Sequence, residues 1–113
     1  DLIETRWQVH FRSYFASCIQ AGKVYIHGGY NEEKGIIDDF IEAQFYDLPS
    51  KWNDIKVRSA KDKNPPGLRN HTLCPYTSNL ILFGGQKNML ENNNTFYKFD
   101  MRSGHWEIIK VVY

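Results

Sequence analysis

"NLILFGGQ", residues 79–86, is an apolar run stopped by two glycines, and "KVYIHGGY", residues 23–30, repeats the arrangement 56 residues earlier. Glycine accepts positive φ and close backbone approach without steric cost. Two in a row at a strand end let the chain leave a sheet sharply. Behind them, "RSYFASCIQ" at 12–20 lies on "RNHTLCPYT" at 69–77, with Arg12 on Arg69 at an offset of 57. Ahead of them, "FYDL" lies on "KFDM" with Asp47 on Asp100 at 53, Trp52 falls on Trp106 at 54, and "IKV" at 55–57 recurs at 109–111. Five matches in one order argue for a tandem duplication.

A third, partial copy opens the chain. "DLIETRW" at 1–7 matches "DLPSKW" at 47–52 and "DMRSGHW" at 100–106. The sequence therefore reads as residues 1–11, the last strand of a preceding unit, then a unit at 12–58, a connecting loop at 58–68, and a unit at 69–113.

Each unit reads as four short strands rich in Val, Ile, Phe, Tyr and Trp, the types that suit a packed pleated surface. Strand a is expected at 13–20 and 70–77, strand b at 23–28 and 79–84, strand c at 40–47 and 95–100, and strand d at 52–57 and 106–112. Turn chemistry separates them: "AG" at 21–22, "SN" at 78–79, "LPSK" at 48–51 and "RSG" at 102–104. A helix competes over 36–48, where Ile36, Ile37, Phe40, Ile41 and Phe45 could line one face. The counterpart "NNNTFYKFD" has no such stripe, so strand is expected from about 41, with a helical turn at 36–40. Strand b reads "LILF" without alternation, which predicts cover on both faces. In a repeat protein that cover comes from other copies. The Trp of strand d is expected to fill the space between neighbouring sheets.

An apolar strand ending in Gly-Gly, an aromatic–Asp pair and a following Trp together resemble the kelch repeat. The residues are Gly28, Gly29, Tyr46-Asp47 and Trp52, then Gly84, Gly85, Phe99-Asp100 and Trp106. "RNHT" at 69–72 resembles the opening of some kelch subclasses, with His71 one position early. The first unit departs from it, with Tyr14 where the second has His71 and Gln44 where the second has Tyr97. The resemblance implies an all-β chain, a fragment of a kelch-type β-propeller: two complete four-stranded antiparallel blades plus the outer strand of a preceding blade. It implies that strand a lines a central channel and that ligands meet the face built by the b–c and d–a loops. Two blades do not close a ring of about 4–8, so the remaining blades belong to the same chain, to another chain, or to further copies of this one.

On that face the b–c loops are about 30–40 and 86–94. The first is acidic, with Glu32, Glu33, Asp38 and Asp39; the d–a loop 58–68 is basic, with Arg58, Lys61 and Lys63. The reading is either two solvated loops or a bipolar surface for a charged peptide. Arg12 and Arg69 open strand a, where each could fork onto a partner's carboxylate or hydrogen-bond carbonyls of a neighbouring unit. Tyr30, Asn31, Gln86, Lys87 and Asn88 follow the glycine pairs directly and, with Asn70, complete the expected contact set for a protein or peptide partner.

The remaining composition narrows the function. Lys and Arg number 14 against 13 Asp and Glu, a net +1, which gives no footprint for nucleic acid. No apolar stretch approaches a membrane span. The start has no signal-peptide pattern and no initiating Met, so the chain reads as a processed or excised piece. Cys18 and Cys74 form neither a disulfide framework nor a zinc motif and are expected as small buried hydrophobes. "NHT" at 70–72 and "NNT" at 93–95 match a glycosylation sequon, a frequent accident among nine Asn. These features lean toward an intracellular, cytoplasmic setting. His27, on the strand position of Phe83, is expected half-buried. No catalytic motif, metal set or cofactor site is expected. The leading reading is a protein-interaction scaffold. The alternatives are part of a propeller enzyme, galactose-oxidase-like or sialic-acid-isomerase-like, with its reactive groups elsewhere, and a purely structural segment.

Overall fold

The computed structural model describes residues 12–47 and 51–110. Residues 1–11, expected as an outer strand, lie outside the described residues, as do 111–113 of the last expected strand. Among the described residues there are ten strands, two short 3-10 turns and no α-helix.

The first unit is an antiparallel sheet of β1 (Ala16–Gln20), β2 (Lys23–His27), β5 (Phe40–Gln44) and β6 (Asn53–Asp54), paired in that order. The second is a meander of β7 (Arg69–Tyr76), β8 (Asn79–Gln86), β9 (Phe96–Asp100) and β10 (His105–Ile109). A small hairpin of β3 (Tyr30–Asn31) and β4 (Gly35–Ile36) projects from the first unit. The two sheets repeat one register. Ile26 pairs Ile41 as Leu82 pairs Tyr97, and Ser17 pairs Ile26 as Leu73 pairs Leu82, all at an offset of 56. The duplication read from the glycines is therefore a duplication of strand pairing.

That register corrects two alignments. Ser13, bridged to Tyr30, stands where Arg69 stands opposite Gln86, so Arg12 falls on Leu68 and Tyr14 on Asn70 rather than on Arg69 and His71. Gln44, opposite Lys23, stands where Asp100 stands opposite Asn79. Asp47 is thus not the counterpart of Asp100. Phe45–Asp47 is an extra 3-10 turn that absorbs the three-residue drift. The helical turn expected at 36–40 is absent: Gly35–Ile36 pairs with Tyr30–Asn31, and Phe40 is already opposite His27. Between these paired ends, residues 37–39 are held by backbone bonds to the glycine pair, from the Ile37 N–H to the Gly29 carbonyl and from the Gly28 N–H to the Asp39 carbonyl, and the 3-10 turn forms only after β5 ends.

Strand d of the first unit is also shorter than 52–57. After Ile55, whose N–H donates to the Phe40 carbonyl at 3.0 Å, the chain leaves its own sheet and runs along the edge of the second. Arg58 N–H donates to the Gly104 carbonyl at 2.7 Å, and Trp106 N–H donates to Ser59 Oγ at 2.9 Å. The edge of β10 thereby gains partners.

The main core lies between the sheets. Ala16, Tyr25 and Phe40 from the first unit meet Leu73, Leu80, Leu82, Tyr97, Phe99 and Trp106 from the second. Trp106 lies 5.1 Å from the Phe40 ring and 5.0 Å from Phe99, filling the gap as expected. Burying each such side chain stabilises by about 1.5–3 kcal/mol. Leu68, in the connecting loop, is wholly buried, and its carbonyl accepts the Gly29 N–H at 2.8 Å. Trp52 is half-buried on a second, smaller cluster with Ile26 and Ile41 on the opposite face of the first sheet.

Three burial expectations change. In "LILF" only Leu80 and Leu82 are buried; Ile81 is half-buried and Phe83 is 40% exposed, because nothing among the described residues covers the far face of the second sheet. Phe83 instead stacks on Phe96 with centroids 4.0 Å apart. His27 is fully buried rather than half-buried, and Cys74 is exposed rather than buried. Finally, Gly28 and Gly29 follow β2 as expected, but Gly84 and Gly85 lie inside β8, which continues to pair with β7 after its pairing with β9 ends at Leu82.

Candidate functional site

The glycine pairs sit at the same end of both sheets, and that end gathers the loops. All four glycines have positive φ, between 71° and 114°. At Gly85 a Cβ would lie 2.6 Å from the Arg69 carbonyl oxygen, and at Gly28 one would lie 2.5 Å from that of Leu68. The glycines thus let strand b of both units pass within contact of the segment that opens β7. Tyr14 and Asn70, 56 residues apart, share a φ near +60°, and the Asn70 N–H donates to the Tyr14 carbonyl at 2.8 Å. This bond ties the two units where their inner strands begin.

The loops behind the glycines are pinned in the same way. Asn31 Oδ1 accepts the amides of Glu33 and Lys34 at 2.9 and 3.2 Å, and Asn88 Oδ1 accepts those of Leu90 and Glu91 at 2.8 and 3.0 Å. Such Asx turns fix backbone direction locally. Both asparagines therefore shape their loops. In the second loop Asn88 Nδ2 also donates to Glu91 Oε1, and the Lys87 N–H donates to the Glu91 carbonyl. The outcome is a held tip carrying Met89 and Leu90, 80% and 95% exposed. Sequence reading missed this pair. The signal was present as two adjacent apolar residues inside an otherwise polar loop.

The two arginines have different fates. Arg12 is buried, donating from Nη2 to Asp39 Oδ2 at 2.8 Å and from Nη1 to the Gly28 carbonyl at 3.1 Å. Its charge is spent on the first unit's own loop. Arg69 is half-buried and open. Its guanidinium lies 5.3 Å from the Tyr30 ring centroid, its Nε donates to Gln86 Oε1 at 3.2 Å, and its Nη2 lies 3.4 Å from Met89 Sδ. No carboxylate pairs with it among the described residues. Tyr30, Arg69 and Gln86 are thus brought together across both units, with Lys87 and Met89 beside them. Cation–π stacking holds the guanidinium flat at modest energy.

Asn93, also missed, is buried. Its Nδ2 donates to the carbonyls of Gly84 and Thr95, both at 3.1 Å, and its N–H to the Gly85 carbonyl at 2.8 Å. It closes the second loop as Ile37 closes the first through the Gly29 carbonyl. A buried, bonded amide is no acceptor for a glycan in the folded chain.

Beneath the loops, His27 and His71 meet across the unit boundary, Nδ1 to Nε2 at 2.9 Å. Burial, with the partner imidazole and Arg12 adding to it, pushes His27 down to about 3; burial pushes His71 down to about 4. Both are neutral at pH 7. At the other end of the sheets Asp100 accepts the amides of Arg102 and Ser103 at 2.9 and 3.3 Å, which hold its carboxyl below the usual range. The Asp of the motif is thereby a turn-former. Burial, with a small contribution from Cys74, raises Cys18 to about 11, so it is no thiolate nucleophile at neutral pH.

Among the described residues no three His, Cys, Asp or Glu side chains gather to hold a metal ion, and no helix is long and apolar enough to cross a membrane. No family model and no curated protein matches the chain.

Proposed function

We propose that the chain is two adjacent blades of a kelch-type β-propeller and serves as a scaffold that binds a protein partner at its loop end. The observation that carries the reading is the cluster at that end: Tyr30, Arg69 and Gln86 from both units, beside the exposed Met89–Leu90 tip. Rigid sheets position it, the glycine turns and Asx turns hold it, and its polar groups converge without a reacting centre. Scaffolds that present loops from stiff sheets commonly bind in this way.

The stacking of equivalent faces supports the propeller. Ala16, Tyr25, His27 and Phe40 face the second unit. Their counterparts at an offset of 56 are Thr72, Ile81, Phe83 and Phe96, which face away from the first. Among the described residues, the second unit thus leaves uncovered the face equivalent to the one by which the first unit binds it. A further unit is its natural cover.

The experiment is site-specific photo-crosslinking in the native host, with the probe at Lys87, Leu90 or, as a control, the exposed Tyr46 at the opposite end of the sheets. The expected result is one discrete adduct from the loop positions, lost in a Met89→Ser, Leu90→Ser variant that melts like the parent. Equal adducts from all three positions, or none from Lys87 and Leu90, would overturn the reading.

A further inference from the structure

A cavity of about 350 Å³ opens between the two units at the end opposite the loop cluster. That size falls at the small end of the range for ligand clefts. Its wall carries Lys23 and Glu42 from the first sheet, Lys56 and Arg58 from the connecting chain, and Arg102 from the turn between β9 and β10. Lys23 and Glu42 satisfy each other at 3.6 Å. Lys56, Arg58 and Arg102 have no carboxylate partner among the described residues. Asp100, nearby, is committed to the backbone amides of its own turn. The wall therefore carries four cations against the single carboxylate of Glu42, which Lys23 satisfies, in a chain with net charge +1.

The floor supplies an independent observation. Tyr25 lines the cavity with its ring buried in the core between the sheets, and its hydroxyl is not among the buried polar atoms that lack a partner, so solvent in the cleft reaches it. Burial, with the nearby Glu42 carboxylate and Cys18 adding to it, raises its phenol to about 12, so it stays protonated and can only gain by donating. A phenol that faces a cleft is a donor open to a ligand's acceptor oxygen. The mouth is pre-formed as well. Arg58 is tied through its N–H to the Gly104 carbonyl, and its side-chain stem packs against Gly104.

We propose that this cavity binds a phosphate monoester, with the dianion among Lys56, Arg58 and Arg102 and an oxygen accepting from the Tyr25 hydroxyl. Three unpaired cations suit a dianion better than a single carboxylate. The planar guanidinium fork matches phosphate oxygens two at a time. The site lies away from the loop end, so it stands or falls separately from the scaffold reading.

The test is titration of the isotope-labelled chain with phenyl phosphate, inorganic phosphate and benzoate, followed by backbone amide shifts. Phenyl phosphate is expected to shift the amides of Arg58, Ser103 and Gly104 and to bind at least about tenfold tighter than benzoate. Affinity is expected to fall as salt is raised. Arg58→Gln with Arg102→Gln should weaken phenyl phosphate by about tenfold or more, and Tyr25→Phe by a few-fold, while Lys61→Gln with Lys63→Gln should leave it unchanged. A phosphoserine peptide binding tighter than phenyl phosphate would make the ligand a modified partner. Equal binding by free phosphate would make it a small molecule; both support the site. Benzoate binding as well as phenyl phosphate, or an Arg58→Gln, Arg102→Gln variant that melts normally and binds like the parent, would overturn it.

Discussion

Gly84 and Gly85 are neighbours with almost the same φ, +82° and +83°, yet a methyl group meets open space at the first and the Arg69 carbonyl at 2.6 Å at the second. Gly84→Ala should therefore cost about 1–2 kcal/mol, the penalty of the left-handed backbone alone. Gly85→Ala and Gly28→Ala add overpacking and should cost about 2–5 kcal/mol each. Urea denaturation of the three variants checks the order. A paired glycine is legible in a sequence because few other reasons place two together at a strand end. Which of the two does the contact work was not legible, since it depends on a strand 15 residues away. The arginines make the same point. Arg12 and Arg69 look alike in the alignment, but Asp39 lies on Arg12, and the corresponding loop of the second unit offers Arg69 a methionine and a glutamine.

At the scale of the element, loops are held by single polar side chains. Arg12→Ala removes the tie to Asp39, whose carboxylate is half-exposed. The cost should be about 1–3 kcal/mol, below that of a fully buried pair. Amide exchange across 30–39 should accelerate in that variant. Ser59 accepts from the Trp106 N–H and donates to Asn64 Oδ1 at 2.6 Å. Ser59→Ala should cost about 1–2 kcal/mol and raise exchange at Trp106 above that at Phe99. These long-range bonds explain why strand d of the first unit was overdrawn from sequence. Its composition suits a strand, but a serine that accepts from the backbone of a tryptophan 47 residues on draws the chain to another sheet. Regular pairing, by contrast, was readable, because strand types and turn residues are local properties.

For the whole molecule, the boundary between units carries a buried imidazole pair. Both histidines titrate well below the ordinary value of 6.5 in the folded chain. The unfolded chain then binds more protons between about pH 6.5 and 3, so stability is complete above about pH 7 and is lost as pH falls through that window. Melting temperature should drop between pH 7 and 4.5, and a His27→Leu, His71→Leu variant should show a shallower slope. The far face of the second sheet, which no described residue covers, gives a second whole-molecule outcome. The chain should self-associate with rising concentration in sedimentation, and Phe83→Lys should reduce this without altering the fold. The stacking of units was legible from the repeat. That His27 would be sealed by a histidine 44 residues later was not, since only the stacked arrangement brings them together.

Leu68 has a consequence for the order in which the molecule is made. The Gly29 amide and the ring of His27 acquire their partners from residues 68 and 71. While the nascent chain ends before that point, the leading sheet emerges from the ribosome with an open flank and an unsatisfied turn. The amino-terminal half must therefore wait for the carboxy-terminal half, and synthesis halted ahead of Leu68 leaves a product for chaperones to guard.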